Sequence, residues 1–225
     1  MRINKYLAHK NLCTRREADV FIAAGKVFIN GRKARLGDQV AETDKVEVRF
    51  RAKQQRYFAY NKPRGIITHS PQGDEKEIRQ ATSLKDVFPV GRLDKDSHGL
   101  IILTDDGRIT DKLLNPDYEH EKEYIVTVKE VLASNFKQRM EKGVYIEGYT
   151  TKPCVIKIMS EKKFSITLTE GKKHQIRRMC AALGYVTADL ERTRIMNIKL
   201  AGLRPGEHRA LKDKELQEFL KALGF

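Results

Sequence analysis

Hydrophobic and polar positions divide the chain near residue 50. Upstream, Ile3, Tyr6 and Leu7 recur at helical spacing and Leu12 closes the stripe, which predicts a short first helix. Thr14 followed by Glu17 is a capping-box signature. Ala18, Phe21 and Ile22 then predict the apolar face of a second helix, ended by Gly25. Val27–Ile29 reads as a short strand, Asn30-Gly31 as a type I′ hairpin turn, and residues 46–50 alternate like a closing strand. Residues 51–56, Arg-Ala-Lys-Gln-Gln-Arg, are polar and without period, and predict a linker.

Downstream the period changes repeatedly. Strand-like runs occur at 57–60, 65–68, 100–104, 124–128, 154–159 and 164–169. Helical stripes lie between or beyond them: Ile109 with Leu113 and Leu114; Leu132, Phe136 and Met140; Ile176, Met179, Cys180 and Leu183; Leu216, Phe219, Leu220 and Leu223. Strands joined by turns, with helices interspersed and no regular βαβ alternation, predict an α+β fold with a largely antiparallel mixed sheet flanked by helices. The expected organisation is a small unit at 1–50, a linker at 51–56 and a second domain at 57–225. Asp105-Asp106-Gly107 reads as a turn. No internal repeat, low-complexity tract or glycine-rich phosphate loop is present.

Composition adds the partner class. A chain that is 40% hydrophobic can build a core, and 44 Lys+Arg against 30 Asp+Glu, a net +14, calls for a polyanion. Residues 1–53 carry 13 Lys+Arg against 6 Asp+Glu, a difference of +7 and half of that excess. No run approaches the roughly 18 apolar residues that span a bilayer. Asn4, Lys5, His9 and Lys10 interrupt any apolar leader, so a cytoplasmic location without membrane contact is expected. Cys13, Cys154 and Cys180 are far apart, with no CxxC pair and no His at zinc-ligand spacing. They are expected to be buried thiols, with no metal, disulfide or cofactor.

The first unit presents Arg2, Lys5, Lys10, Arg15, Arg16, Arg32, Lys33 and Arg35. Arg15 and Arg16 stand at a helix N-terminus, where cations oppose the macrodipole, so they do nothing for the helix itself. An external phosphate, gaining from both guanidinium and free N–H groups, explains them. Arg2-Ile-Asn-Lys-Tyr-Leu-Ala, Cys13-Thr-Arg-Arg-Glu-Ala-Asp19 and Gly25-Lys-Val-Phe-Ile-Asn-Gly31 resemble an S4 RNA-binding domain. That resemblance implies docking on helical RNA through phosphates and 2′-hydroxyls. It implies Arg2, Lys5, Arg15, Arg16, Arg32, Lys33 and Arg35 as RNA-binding residues.

Chemistry is carried by three later segments: Val90-Gly-Arg-Leu-Asp-Lys-Asp-Ser-His-Gly-Leu100, His120-Glu-Lys-Glu-Tyr-Ile-Val126 and Glu170-Gly-Lys-Lys-His-Gln-Ile-Arg-Arg-Met179. Taken singly, Asp94 and Asp96 are turn carboxylates, Tyr124 a strand core residue, and Arg177 and Arg178 solvated helix charges. Together they resemble the aspartate, tyrosine and basic motifs of the RsuA-type ribosomal RNA pseudouridine synthases. Glu191-Arg-Thr-Arg-Ile-Met-Asn197 and Pro205-Gly-Glu make the chain most similar to the RluF branch, whose substrate is a uridine in large-subunit rRNA.

The resemblance implies catalytic roles for Asp94, Tyr124 and Arg177. Breaking N1–C1′ leaves the sugar carbon electron-poor, which a carboxylate stabilises or bonds, as in glycosidases. Asp94 fills that role, Arg177 is its expected ion-pair partner, and Tyr124 is expected to stack on a flipped-out base. Arg177 and Arg178 are about 100° apart on their helix, so Arg178 is expected to reach a phosphate. Arg92 is expected to replace or bind what the flipped nucleotide vacates. His174 is assigned a structural role. Because the reaction only rearranges atoms, no cofactor is implied. The partner is structured ribosomal RNA, met by a monomer without an obligatory protein partner. The competing readings are a non-catalytic S4-type RNA-binding or ribosome-binding protein, and the same activity on small-subunit rRNA.

Overall fold

The computed structural model describes residues 1–10, 12–50 and 54–225. The first three positions of the expected linker, 51–53, lie outside the described residues. In the first unit, α1 is Ile3–His9 and α2 is Arg15–Ala23. The capping box at α2 is reciprocal: Thr14 Oγ1 accepts from Glu17 N at 3.2 Å, and Glu17 Oε2 accepts from Thr14 N at 2.8 Å. Bonds from Gly25 N to Ile22 O and from Lys26 N to Phe21 O close its C-terminus as a Schellman motif. β1 (Val27–Ile29), β2 (Arg32–Lys33) and β3 (Val46–Val48) form a small sheet in the order β2-β1-β3. Ile3, Leu7, Ala18, Ile22, Val27, Ile29 and Val40 bury their side chains together, and Phe21 stacks on Phe50 at 3.9 Å. This core is built from the unit's own residues.

The remaining elements are β4 (Tyr57–Lys62), α3 (Ile78–Ala81), β5 (Phe88–Val90), β6 (His98–Thr104), α4 (Ile109–Leu114), β7 (Lys122–Val128), α5 (Phe136–Glu141), β8 (Tyr145–Ile146), β9 (Tyr149–Thr150), β10 (Val155–Ser160), β11 (Lys163–Leu168), α6 (Gln175–Ala182), β12 (Thr187–Ile195), β13 (Ile198–Lys199), β14 (His208–Ala210) and α7 (Asp213–Ala222). They build a nine-stranded sheet with path β10-β11-β7-β12-β6-β4-β14, to which β13 and β5 add at β12 and β6. Among the described strands, β12 and β6 pair in parallel and the other pairs are antiparallel. The expected α+β, largely antiparallel fold is therefore the observed one.

The run Leu100-Ile-Ile-Leu103 lacks alternation because both of its faces are covered. Leu100 and Ile102 pack with α4 and α7 around Ile109, Leu113 and Phe219, whereas Ile101 and Leu103 join Tyr60 and Ile78 on the other face. A second core lies where β7, β10 and β11 meet α5 and α6, around Val126, Phe136, Phe164 and Met179.

Three expectations need correction. Residues 65–68 are not a strand; Ile67 makes a single bridge to Glu77, and Pro63 with the turn at Arg64 and Gly65 takes the chain out of β4. Two of its residues bond instead to the loop that carries Asp94: Gly65 N donates to Lys95 O at 2.9 Å, and Thr68 Oγ1 donates to Leu93 O and accepts from Leu93 N. The stripe from Leu132 becomes helical only at Phe136, after Ala133 O accepts from Phe136 N in a tight turn. The long strand β12 was not expected, because its buried position 192 is an arginine and masks the alternation.

Candidate active site

Asp94 stands on the loop between β5 and β6, and the chain fixes that loop from several sides. Lys62, fully buried at the end of β4, donates from Nζ to Ser97 O at 2.8 Å and Pro63 O at 3.0 Å. Arg192, 4% exposed, donates from Nε to Leu100 O at 2.6 Å and from Nη1 to Arg92 O at 3.3 Å. These bonds hold the backbone on both sides of Asp94. Gly99 permits the crossing: its φ is +104°, and a Cβ there would lie 2.4 Å from Arg192 O. No side chain fits between these two strands at this point, which is why a glycine stands second in β6.

The loop borders a cavity of about 670 Å³ whose lining includes Arg92, Asp94, Lys122, Tyr124, His174 and Arg192. Asp94 is about one-third exposed, and its Oδ1 lies 3.3 Å from His174 Nε2. His174 caps α6 in the left-handed region, φ 52°, a conformation that costs a non-glycine residue energy and is common at functional sites. Tyr124 lines the cavity from β7 and packs against the core behind it. Burial, with the Arg192 charge adding to it, pushes the Lys122 ammonium down to about 8. Burial likewise lowers Lys62 to about 8, against the opposing pull of Asp94 and Asp96. The Cys13, Cys154 and Cys180 thiols are buried and free, and burial raises them to about 11, 12 and 11.

The basic motif is placed differently from the expectation. Arg177 does not pair with the Asp94 carboxylate. Its Nη2 donates to Asp96 O at 3.3 Å and Ser97 Oγ at 3.2 Å, so it ties α6 to the far end of the loop. Arg178 pairs with Glu147 on the β8–β9 turn at 2.5 Å and donates to Lys173 O. The reason is register: α6 presents its arginines to the loop backbone and to the hairpin, while the His174 side chain is the α6-cap group at the carboxylate. Asp105-Asp106-Gly107 is a turn, as expected, with an added buttress: buried Asp106 pairs with Arg108 and accepts from Tyr57 Oη. In the first unit Arg2, Lys5, Arg15, Arg16, Lys33 and Arg35 are exposed, as is Arg32, which pairs with Asp38 at 2.8 Å.

The reading of the sequence missed Lys62, Lys122 and Arg192. A signal existed for two of them. Lys62 continues the strand run that starts at Tyr57, and Lys122 stands two residues before Tyr124, on the same face of a strand.

Residues 56–182 match the family of RNA pseudouridylate synthases, and residues 1–46 match the S4 domain. The chain belongs to the RNA pseudouridine synthases. It is an isomerase of the RsuA type, similar to RluF. The dual-specificity RNA pseudouridine synthase RluF of Salmonella typhi is 45% identical over 99% of this chain and 79% of that protein. The ribosomal large subunit pseudouridine synthase B of Bacillus subtilis is 34% identical over 99% of this chain and 96% of its own. A crystal structure of a pseudouridylate synthase superposes with a TM-score of 0.71 and 29% identity, covering 99% of each chain. Among the described residues, no helix is long and apolar enough to cross a membrane.

Proposed function

We propose that this synthase converts one uridine of large-subunit ribosomal RNA to pseudouridine, with Asp94 as the carboxylate that meets C1′. The observation that carries the reading is the placement of Asp94 on a clamped loop beside a cavity shared with Tyr124. About 670 Å³ is room for a flipped nucleoside. As N1–C1′ breaks, the carboxylate stabilises the electron-poor sugar carbon. The uracil turns, and its C5 joins the same carbon. Tyr124 stacks on the base, contributing about 1–3 kcal/mol toward the cost of leaving the helix.

Arg177 serves this chemistry by holding the loop, through Asp96 O and Ser97 Oγ. Arg92 is exposed among the residues that line the cavity, where it meets the phosphate of the flipped nucleotide. An S4 unit at 1–50, joined through 51–56 to a catalytic domain at 57–225, docks the RNA through its exposed cations, Arg2, Lys5, Arg15, Arg16, Lys33 and Arg35. The protein works as a cytoplasmic monomer. A non-catalytic binding role would leave the clamped carboxylate and its cavity without a use.

The test is a map of pseudouridine in total RNA from cells with and without the protein. Loss at one large-subunit uridine is the expected result. Loss confined to small-subunit rRNA would move the substrate, and no loss anywhere would overturn the proposal.

A further inference from the structure

Two cations in the cavity wall have no acidic partner. On β7 the side chains of Lys122 and Tyr124 share one sheet face. β12 sets Ile195 beside Lys122 and Arg192 beside Tyr124, and β11 sets Leu168 on the other side of Lys122. All five line the cavity. Lys122 therefore stands between two apolar side chains, with His120 O, at 3.1 Å, accepting from its Nζ. Neither Lys122 nor Arg192 makes an ion pair within 4.0 Å among the described residues. Arg192 spends Nε and Nη1 on the carbonyls of Leu100 and Arg92, and its Nη2 is buried with no partner. A guanidinium cannot shed its charge, so an unmet donor beside a cavity calls for an acceptor brought by a ligand.

The cavity's carboxylates do not answer that need. Asp94 faces His174, and Glu170 accepts from Gln175 Nε2 at 2.6 Å and Lys152 N at 2.9 Å. The other charged groups around the cavity are Arg92, Lys172 and Lys173, which are exposed, with Lys62 beneath the Asp94 loop.

We infer that Lys122 and Arg192, the two neighbours of Tyr124 along and across the strands, form a cationic cradle. It binds the carbonyl oxygens of the flipped uracil and holds the ring's negative charge while it is detached from the sugar. This rests on the proposed reaction. When N1–C1′ breaks, the bonding pair leaves with N1 and spreads over O2 and O4. Half a turn about the N3–C6 axis exchanges N1 with C5 and also O2 with O4. Two donors that hold O2 and O4 before the turn therefore hold O4 and O2 after it. The ring's pair then forms C5–C1′, the C5 proton leaves and N1 gains one, so the balance is zero. Fixed charges in the cavity wall act strongly on such an anion and need no reorganisation as the ring turns. The depressed Lys122 agrees with this geometry: its ammonium is held at a cost that an anionic ring relieves, and it is lost as pH rises through about 8.

The experiment is single-turnover conversion, by the full-length protein, of the rRNA stem-loop that carries the mapped uridine. Lys122→Met is expected to slow conversion by about 100-fold at neutral pH, with RNA affinity unchanged. Lys122→Arg, which keeps the charge and guards against a variant that fails to fold, is expected to recover most of the rate. It should also abolish the alkaline decline expected of the wild type above about pH 8. A decline that persists in Lys122→Arg would belong to another group, Lys62 foremost, and would overturn the cradle. So would a Lys122→Met variant as fast as the wild type, or one whose affinity falls in step with its rate. A wild type that converts no uridine at all would overturn the proposed function, and the cradle with it.

Discussion

Arg2, Lys5, Arg15, Arg16, Lys33 and Arg35 of the first unit are exposed, whereas Lys62 and Arg192 of the second are buried and Lys122 is half-buried. Both groups are cationic, and they do different work. An exposed cation in high dielectric is screened beyond about 8 Å at physiological salt, so its contribution is direct phosphate contact, weakened as salt rises. The cations around the Asp94 loop are fixed by carbonyls, to Ser97 O, Leu100 O and Arg92 O, and burial, with the Arg192 charge adding to it, pulls Lys62 and Lys122 down to about 8. Their charge is costly to keep and acts over a few ångströms. On the proposed function, the first set governs how tightly RNA binds and the second what happens to one nucleotide. Substitutions in the two regions should therefore separate affinity from rate.

The largest separation is expected at Asp94. Asp94→Asn is close to isosteric but cannot stabilise an electron-poor C1′. Single-turnover conversion should fall by more than about 10³-fold, with RNA affinity and melting temperature nearly unchanged. Substantial product from the Asn variant would remove Asp94 from the chemistry. Next comes the seam that carries the loop. Gly99→Ala places a Cβ 2.4 Å from Arg192 O at a φ of +104°. That should cost more than about 3 kcal/mol of stability or prevent folding. A melting temperature within a few degrees of wild type would mean that β6 and β12 part easily, and that the clamp is looser than its distances imply.

The same two regions differ in how much of them could be read from the sequence. The first unit declares itself locally: Thr14 and Glu17 name the capping box, Asn30-Gly31 the turn, and the apolar stripe the core, all within some 50 residues. In the second, motif identity located Asp94 and Tyr124, but what touches them is set by distant contacts. The 65–68 run looks like a strand and is a buttress, because its partner is a loop and not another strand. β12 hides because an arginine occupies an inward position. Spacing put Arg177 and Arg178 on separate helix faces, yet could not say that His174 would stand at the carboxylate. A spacing argument fixes the angle between two side chains on a helix, and says nothing of how far that helix has slid along its neighbour.

Arg177 tests that last point. Since it holds Asp96 O and Ser97 Oγ, Arg177→Met should loosen the loop without removing a charge from the carboxylate's own pair. The expected loss is about 10- to 100-fold in single-turnover rate, with RNA affinity little changed. The shape of the pH–rate profile should also stay as in the wild type. If Arg177→Met instead recovered activity with rising pH, the carboxylate would have lost a direct cationic partner, and losing a cation raises a carboxylate pKa. That result would place Arg177 against Asp94 when RNA is bound.

The smallest effect is expected in the first unit, and it is the one that makes the comparison quantitative. Arg15 and Arg16 are exposed at the N-terminus of α2, where Glu17 already caps the helix. Removing them should not harm the fold, because they oppose the helix dipole. If each meets a phosphate, Arg15→Gln with Arg16→Gln should lower the slope of log K against log salt by roughly 1.5 to 2 units. Affinity then weakens most at low salt, and the variant and wild type converge as salt rises. At saturating enzyme the conversion rate should match the wild type, since neither side chain lines the cavity. An unchanged slope would show that RNA is anchored elsewhere. A slower rate at saturation would show that the first unit also orients the substrate, so that affinity and rate are not carried by separate sets of cations.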